Sequence, residues 1–254
     1  MTPQRFEKIG IQRELHLDWF DQAARLYGTG LSKTEARQEI YVYLSTSPAF
    51  ASPPSQQSKT YIANPLIKTW IAPEAHLIAW RNEAYPLLQD VPDSRLPLHW
   101  SILGAAYPFW FAVATVVGRL LGLQKQVTQA QIVSRLKEHY GDRQTVSRRA
   151  RYVIRSFVNW GVLKDSETRG CYEKVASLHQ VDSRQAVFML EAALLAIPEG
   201  KGALGLFLNH PAFFPFQIPV VSGDWITQHS QRMEALRYGL DEELLVLKSN
   251  HCKE

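Results

Sequence analysis

A mainly α protein, built from many helices with one small β-hairpin near its middle, is what this sequence predicts. Three observations carry that expectation. Apolar residues recur at helical spacing over most of the 254 residues, in runs opened by Ser, Thr or Asp and closed by Gly or Pro. Extended patterns are short, near 127–128, 162–175 and 244–247. A composition of 46% hydrophobic and 20% charged residues suits a globular chain with one large core or about two to three small ones.

Residues 1–94 read as a helical region. Glu14 to Tyr27 places Leu15, Trp19, Ala23 and Leu26 on one stripe and ends at Gly28 and Gly30. Ser32 and Glu35 form a capping box for a helix reaching about Leu44. The 45–58 stretch, rich in Ser and Pro with Pro48, Pro53 and Pro54, reads as a loop or linker. Asn64-Pro65 and Pro73 mark two further helix starts, leading to Leu66–Trp70 and Glu74–Leu88, with Trp70, Trp80 and Tyr85 as core.

From Leu96 to Gly118 no Asp, Glu, Lys or Arg occurs, a run long enough to cross a bilayer. Pro97, His99, Gly104 and Pro108 interrupt it, and the expectation is a buried helix pair broken at Pro108. Thr128 then caps a helix to Tyr140 with Ile132, Val133, Leu136 and Tyr140 on its apolar stripe. Gly141-Asp142-Arg143-Gln144 is a short turn, with Gly141 suited to the left-handed conformation. Thr145 is the candidate N-cap of the next helix.

That helix has two opposed faces. Setting Val146 at zero and advancing about 100° per residue puts Ala150, Val153, Ile154 and Phe157 near 40, 340, 80 and 20°, and Arg148, Arg151 and Arg155 near 200, 140 and 180°. Ser147, at about 100°, borders the basic face. Lys125 to Lys164 holds nine Lys/Arg against two Asp/Glu, a net of +7 that leaves −3 for the rest of a chain totalling +4. Trp160-Gly161 closes the helix, Val162-Leu163 begins a strand, 164–170 makes a polar turn, and Cys171–Val175 returns as a second strand.

In element order and facing, residues 107–175 resemble the winged helix-turn-helix superfamily, with Pro108–Leu123 as the first helix and Val127-Thr128 as the strand joining the hairpin. The resemblance covers about a quarter of the chain and implies a domain over 95–180. It implies double-stranded DNA as partner, with Thr145 at the start of the second helix among the DNA-binding residues, Ser147, Arg148, Arg151 and Arg155 facing bases, and Lys164, Arg169 and Lys174 of the wing touching backbone phosphates.

Residues 181–254 read as a second helical region. Asp182 or Ser183 caps an apolar helix to about Ala196, broken by Pro198–Gly205. Phe207–Val221, with Pro211, Pro215 and Pro219 among Phe213, Phe214 and Phe216, resists helix and reads as a flap closing over the core. Ser222 or Asp224 starts a last helix through Met233 and Arg237, and Leu244–Leu247 is a final strand.

Catalytic patterns are missing: no phosphate loop, Gly-x-Ser-x-Gly elbow, dinucleotide fingerprint or His-Glu-x-x-His pairing occurs. The eight histidines lack ligand spacing, and Asp224, Glu242, Glu243 and Lys248 are too ordinary a set to indicate a nuclease. No enzyme activity, cofactor or metal is expected. Cys171 and Cys252 make no disulfide framework, no apolar leader opens the chain, and a cytoplasmic location follows. A sequence pI near 9.0 suits nucleic acid. The leading expectation is a prokaryotic DNA-binding regulator or DNA-handling accessory protein, with a homodimer or protein partner on the N- or C-terminal helical regions. The alternatives are a non-catalytic subunit of a multi-protein bacterial assembly, such as one of phage defence, and a membrane-associated protein built on Leu96–Gly118.

Overall fold

The computed structural model describes residues 4–90, 94–238 and 242–248. It is mainly α. Helices α1 (Gln4–Glu7), α2 (Leu17–Gly28), α3 (Lys33–Ser45) and α4 (Gln56–Leu66) are followed by a π turn (Ile67–Ile71), a 3-10 turn (Ala75–Leu77) and α5 (Ile78–Asp90). The centre comprises α6 (Arg95–Ala106), α7 (Pro108–Leu123), β1 (Gln126–Thr128), α8 (Gln129–Tyr140), α9 (Gln144–Asn159), β2 (Leu163–Asp165) and β3 (Cys171–Lys174). Then come β4 (His179–Gln180), α10 (Ser183–Leu195), β5 (Lys201–Ala203), α11 (Leu204–Leu208), a 3-10 turn (Pro211–Phe213), β6 (Phe216–Gln217), α12 (Gly223–His229), β7 (Met233–Tyr238) and β8 (Glu242–Leu247). Three small sheets run in the orders β1-β3-β2, β4-β6 and β5-β8-β7, the second parallel and the others antiparallel.

The caps read from the sequence organise much of this. Ser32 with Glu35 and Asp182 with Gln185 form complete capping boxes, each satisfying two otherwise orphan N–H groups. One cluster of buried side chains runs from Ile11 to Leu245, so the three stretches of the chain share a core. At its centre is α6, in which all residues from Leu96 to Ala106 are buried. Trp100 stacks on Phe157 of α9 at 4.8 Å and meets Trp110 of α7 edge-on at 5.5 Å, fastening the helix pair to α9. No single described helix is long and apolar enough to cross a membrane; α6 and α7 reach that length only as a pair bent by 118°.

Two helices have bounds far from those the sequence predicts. The helix expected to start at Asn64-Pro65 begins at Gln56, where the Ser55 hydroxyl accepts the Ser58 N–H, and Pro65 lies inside it. Burial of Ile62, Ala63 and Leu66 overrides the break that Pro65 signals, and the helical ladder continues past it, the Ile67 N–H bonding the Ala63 and Asn64 carbonyls before the chain widens into the π turn. The last helix stops at His229, while Met233 and Arg237 lie on β7. Ser230 is extended, its hydroxyl accepts the N–H groups of Arg232 and Met233, and six register pairs with β8 outweigh the helical preference of Met-Glu-Ala-Leu-Arg. Cys252 lies outside the described residues.

The Pro- and Phe-rich segment folds back on α7, with Phe213 buried and Phe214 half-buried. Gly118 permits this approach: a Cβ there overlaps the Pro211 carbonyl. His210, stacked on Phe111 at 4.9 Å, accepts the Ala212 N–H on Nδ1 at 3.2 Å. Burial, helped by the Arg119 charge, pushes its pKa down to about 4. The unfolded chain therefore takes up a proton below about pH 6.5 that the folded chain refuses until about 4, so stability present above 6.5 is lost on acidification. This group is expected to remove about 2 kcal/mol between pH 7.5 and 5. Urea melts of His210→Asn, whose carbonyl can still accept the Ala212 N–H, should show that much less acid sensitivity; matching pH dependence in the two proteins refutes the assignment.

Candidate nucleic-acid interface

The site is assembled on α8 and α9. Thr128 and Gln131 form a capping box at 3.1 and 2.8 Å, fixing the start of α8, and Ile132, Leu136 and Tyr140 turn its apolar stripe inward while Val133 stays half-buried. Gly141 follows at φ 80, ψ 158, outside the left-handed helical basin and in a region that only glycine occupies readily. The Arg143 guanidinium donates to the Tyr140 carbonyl at 2.8 and 3.1 Å, closing the turn. Consequently α9 opens at Gln144 with Arg143 in the capping position. Thr145, expected as the N-cap, lies exposed in the first turn instead.

On α9 the inward face is as the spacing predicts: Val146, Ala150, Val153, Ile154 and Phe157 are each 0% exposed. Arg148 and Arg151 are exposed, Ser147 is half-buried, and no carboxylate pairs with either arginine among the described residues. Arg155 departs from expectation. Its Nη1 donates to both oxygens of Asp165 at 2.6 and 2.8 Å, a bond that raises its pKa. It braces α9 against β2 rather than presenting a free guanidinium. The pair forms because Gly161, at φ 71, reverses the chain and carries β2 back along the helix.

The sheet places the remaining cations unequally. Val127 faces Tyr172 and Lys164 faces Glu173 across the antiparallel ladder. Lys164 pairs with Glu173 at 2.9 Å, and Gln126 donates to the same carboxylate at 2.6 Å, so this lysine carries a compensated charge. Arg169 is exposed at the β2–β3 turn beside Gly170. A groove of about 750 Å³ separates α9 from that turn, lined by Ser147, Arg151, Arg155 and Arg169 together with Thr128 and Tyr172. Lys174 does not line it. Half-buried, with its pKa lowered by burial, it borders a different cavity beside Arg119 and Phe214.

Two further cations lie outside the face that spacing defines: Arg149, at about 300° on the wheel of α9, and Arg13, distant in sequence. Elsewhere the polar groups serve the fold. His99, fully buried, accepts from Trp70 Nε1 at 3.1 Å and so donates from Nε2 to Asp21 at 3.0 Å; burial lowers its pKa and keeps it neutral. Glu243 accepts the Gly223 N–H at 3.0 Å, capping α12, and Asp224 stands 4.0 Å from Arg237. Among the described residues no cluster of three or more His, Cys, Asp or Glu can hold a metal ion. Compared with protein-family models, with curated proteins and with solved structures, the chain matches none.

Proposed function

We propose that residues 107–175 form a winged helix-turn-helix that binds double-stranded DNA, with α9 in the major groove and the β2–β3 turn as a wing on the backbone. One observation carries the reading: α9 is anchored by five fully buried apolar side chains while Arg148 and Arg151 project into water without carboxylate partners among the described residues. Guanidinium groups on a rigid helix suit bidentate bonding to guanine O6 and N7. The segment's net +7 supplies the sequence-independent attraction to phosphates. In this reading Ser147, Arg148 and Arg151 face bases, Thr145 lies at the entering end, Arg155 holds the wing, and Arg169 is the wing's phosphate contact. The protein is then a regulator or DNA-handling accessory protein of prokaryotic type.

Fluorescence anisotropy against a random duplex at about 50 and 200 mM salt tests this. Binding should weaken steeply with salt, and Arg169→Ala should weaken all duplexes alike and flatten the log-log slope by about 0.9. No binding at either salt concentration ends the proposal.

A second reading, a non-catalytic assembly subunit, has an observation of its own. Leu123, 87% exposed, and Leu178, 38% exposed, stand at a cavity of about 590 Å³ floored by Phe213, Phe214 and Phe216. Apolar side chains so placed suit a protein partner. A complex formed there should survive Arg151→Glu and about 0.5 M salt, because buried apolar contacts are little screened.

A further inference from the structure

Cations flank α9 on both sides, and the β2–β3 turn accounts for only one of them. On the opposite flank, past Arg148, come Tyr152 and Arg149, at about 240 and 300° on the same wheel. The segment before α2 runs along this flank: the Leu15 N–H donates to Ser156 Oγ at 2.8 Å, and Trp160 Nε1 donates to the Leu15 carbonyl at 3.0 Å. Two residues earlier, the Arg13 guanidinium lies 4.9 Å from the centre of the Tyr61 ring of α4 and donates to Ser58 Oγ at 3.4 Å and the Gln12 carbonyl at 3.0 Å. Arg149 lies 6.0 Å from the Tyr152 ring centre, and its Nε is buried without an acceptor among the described residues.

Like charges gathered in this way ordinarily bring in a carboxylate. Among the described residues none pairs with Arg13 or Arg149. Burial first, then the charges of Arg148 and Arg13, lower the Arg149 pKa against the opposing Tyr152 and Tyr61. Two guanidinium groups supported on tyrosine rings, with donors unused, fit the oxygens of a phosphodiester. Duplex geometry supplies such groups at that place. A major groove about 12 Å wide is walled by two backbones, so a helix lying in it meets phosphates on each flank.

We propose that Arg13 and Arg149 bind phosphates of the backbone on the side of α9 away from the β2–β3 turn, so that the N-terminal region supplies the second jaw of a clamp on the duplex. This rests on the DNA-binding reading above and adds to it a contact outside residues 107–175.

The test is the salt dependence of duplex binding by the full chain, compared among wild type, the double variant R13Q/R149Q and the charge-retaining R13K/R149K. The glutamine variant should bind every duplex more weakly, with sequence preference unchanged, and its log-log slope should be shallower by about 0.9 for each phosphate lost, nearly 2 in all. The lysine variant should keep the wild-type slope. A wild-type slope in R13Q/R149Q overturns the second jaw alone, leaving α9 and the wing as the contacts. Equal losses in the glutamine and lysine variants also overturn it, since shape rather than charge is then at stake. Failure of the wild-type chain to bind any duplex removes the underlying reading and this one with it.

Discussion

Replacing Arg148 and Arg151 together with alanine should lower affinity for a selected duplex site by between about 30-fold and about 20,000-fold. Each arginine that pairs with a guanine contributes about 1–3 kcal/mol of discrimination, and every 1.4 kcal/mol is tenfold. Both side chains are exposed and lack a carboxylate partner among the described residues, so their removal leaves no buried group unsatisfied and the melting temperature should stay within about 2 °C. On the DNA-binding proposal, loss of site preference with retained binding to random duplex is the expected signature, because Arg169 and the other basic groups would still meet the backbone. Full site-specific affinity in the double variant excludes α9 as the reading element. The same experiment on Arg155→Ala separates bracing from reading. Removal of Arg155 frees Asp165 and loosens the β2–β3 hairpin, so on the DNA-binding proposal it should weaken all duplexes rather than change which one is preferred.

Arg232→Met should destabilise the fold by about 3–5 kcal/mol. Arg232 Nε and Nη2 donate to Glu191 at 2.5 and 3.1 Å, and Nη1 and Nη2 donate to Glu83 at 2.6 and 2.7 Å, tying α5, α10 and the entry to β7 together. Glu191 is 2% exposed, so without Arg232 its carboxylate is left uncompensated in the core. For a chain of this size the melting temperature should fall by about 10 °C. Burial already raises the Glu191 pKa against the pull of Arg232, and removing Arg232 raises it further. A carboxyl whose folded pKa exceeds its unfolded value stabilises the fold at low pH and loses that contribution as pH rises, so the variant should be less impaired at pH 5 than at pH 8. Urea melts at the two pH values check this, and E191Q/R232M should recover part of the loss. A variant as stable as wild type at pH 8 overturns the account.

Features governed by neighbours a few residues apart were readable in advance. The box at Ser32–Glu35, the caps at Thr128 and at Asp182, the break at Pro108 and the inward face of α9 follow from local hydrogen bonding and a period of 3.6. Errors came where a distant partner intervened. Pro65 stays within a helical stretch because Leu66, Ile67 and Trp70 are buried against other helices, and 233–238 become a strand because β8 pairs with them. For the candidate site, the exposure of Arg148 and Arg151 was legible. The Asp165 brace on Arg155, the Glu173 partner of Lys164 and the displacement of Lys174 to another cavity were not.

Sequence alone thus determined a mainly helical chain and a central helix with one buried apolar face and one cationic face, since both are properties of residue spacing along a regular backbone. Only the tertiary structure decided which of those cations stay free, and it set Arg13 and Tyr61 on the far flank of α9. Charge is assigned by composition, but its neutralisation depends on which acids the folded chain brings within about 4 Å, a distance unrelated to separation along the sequence.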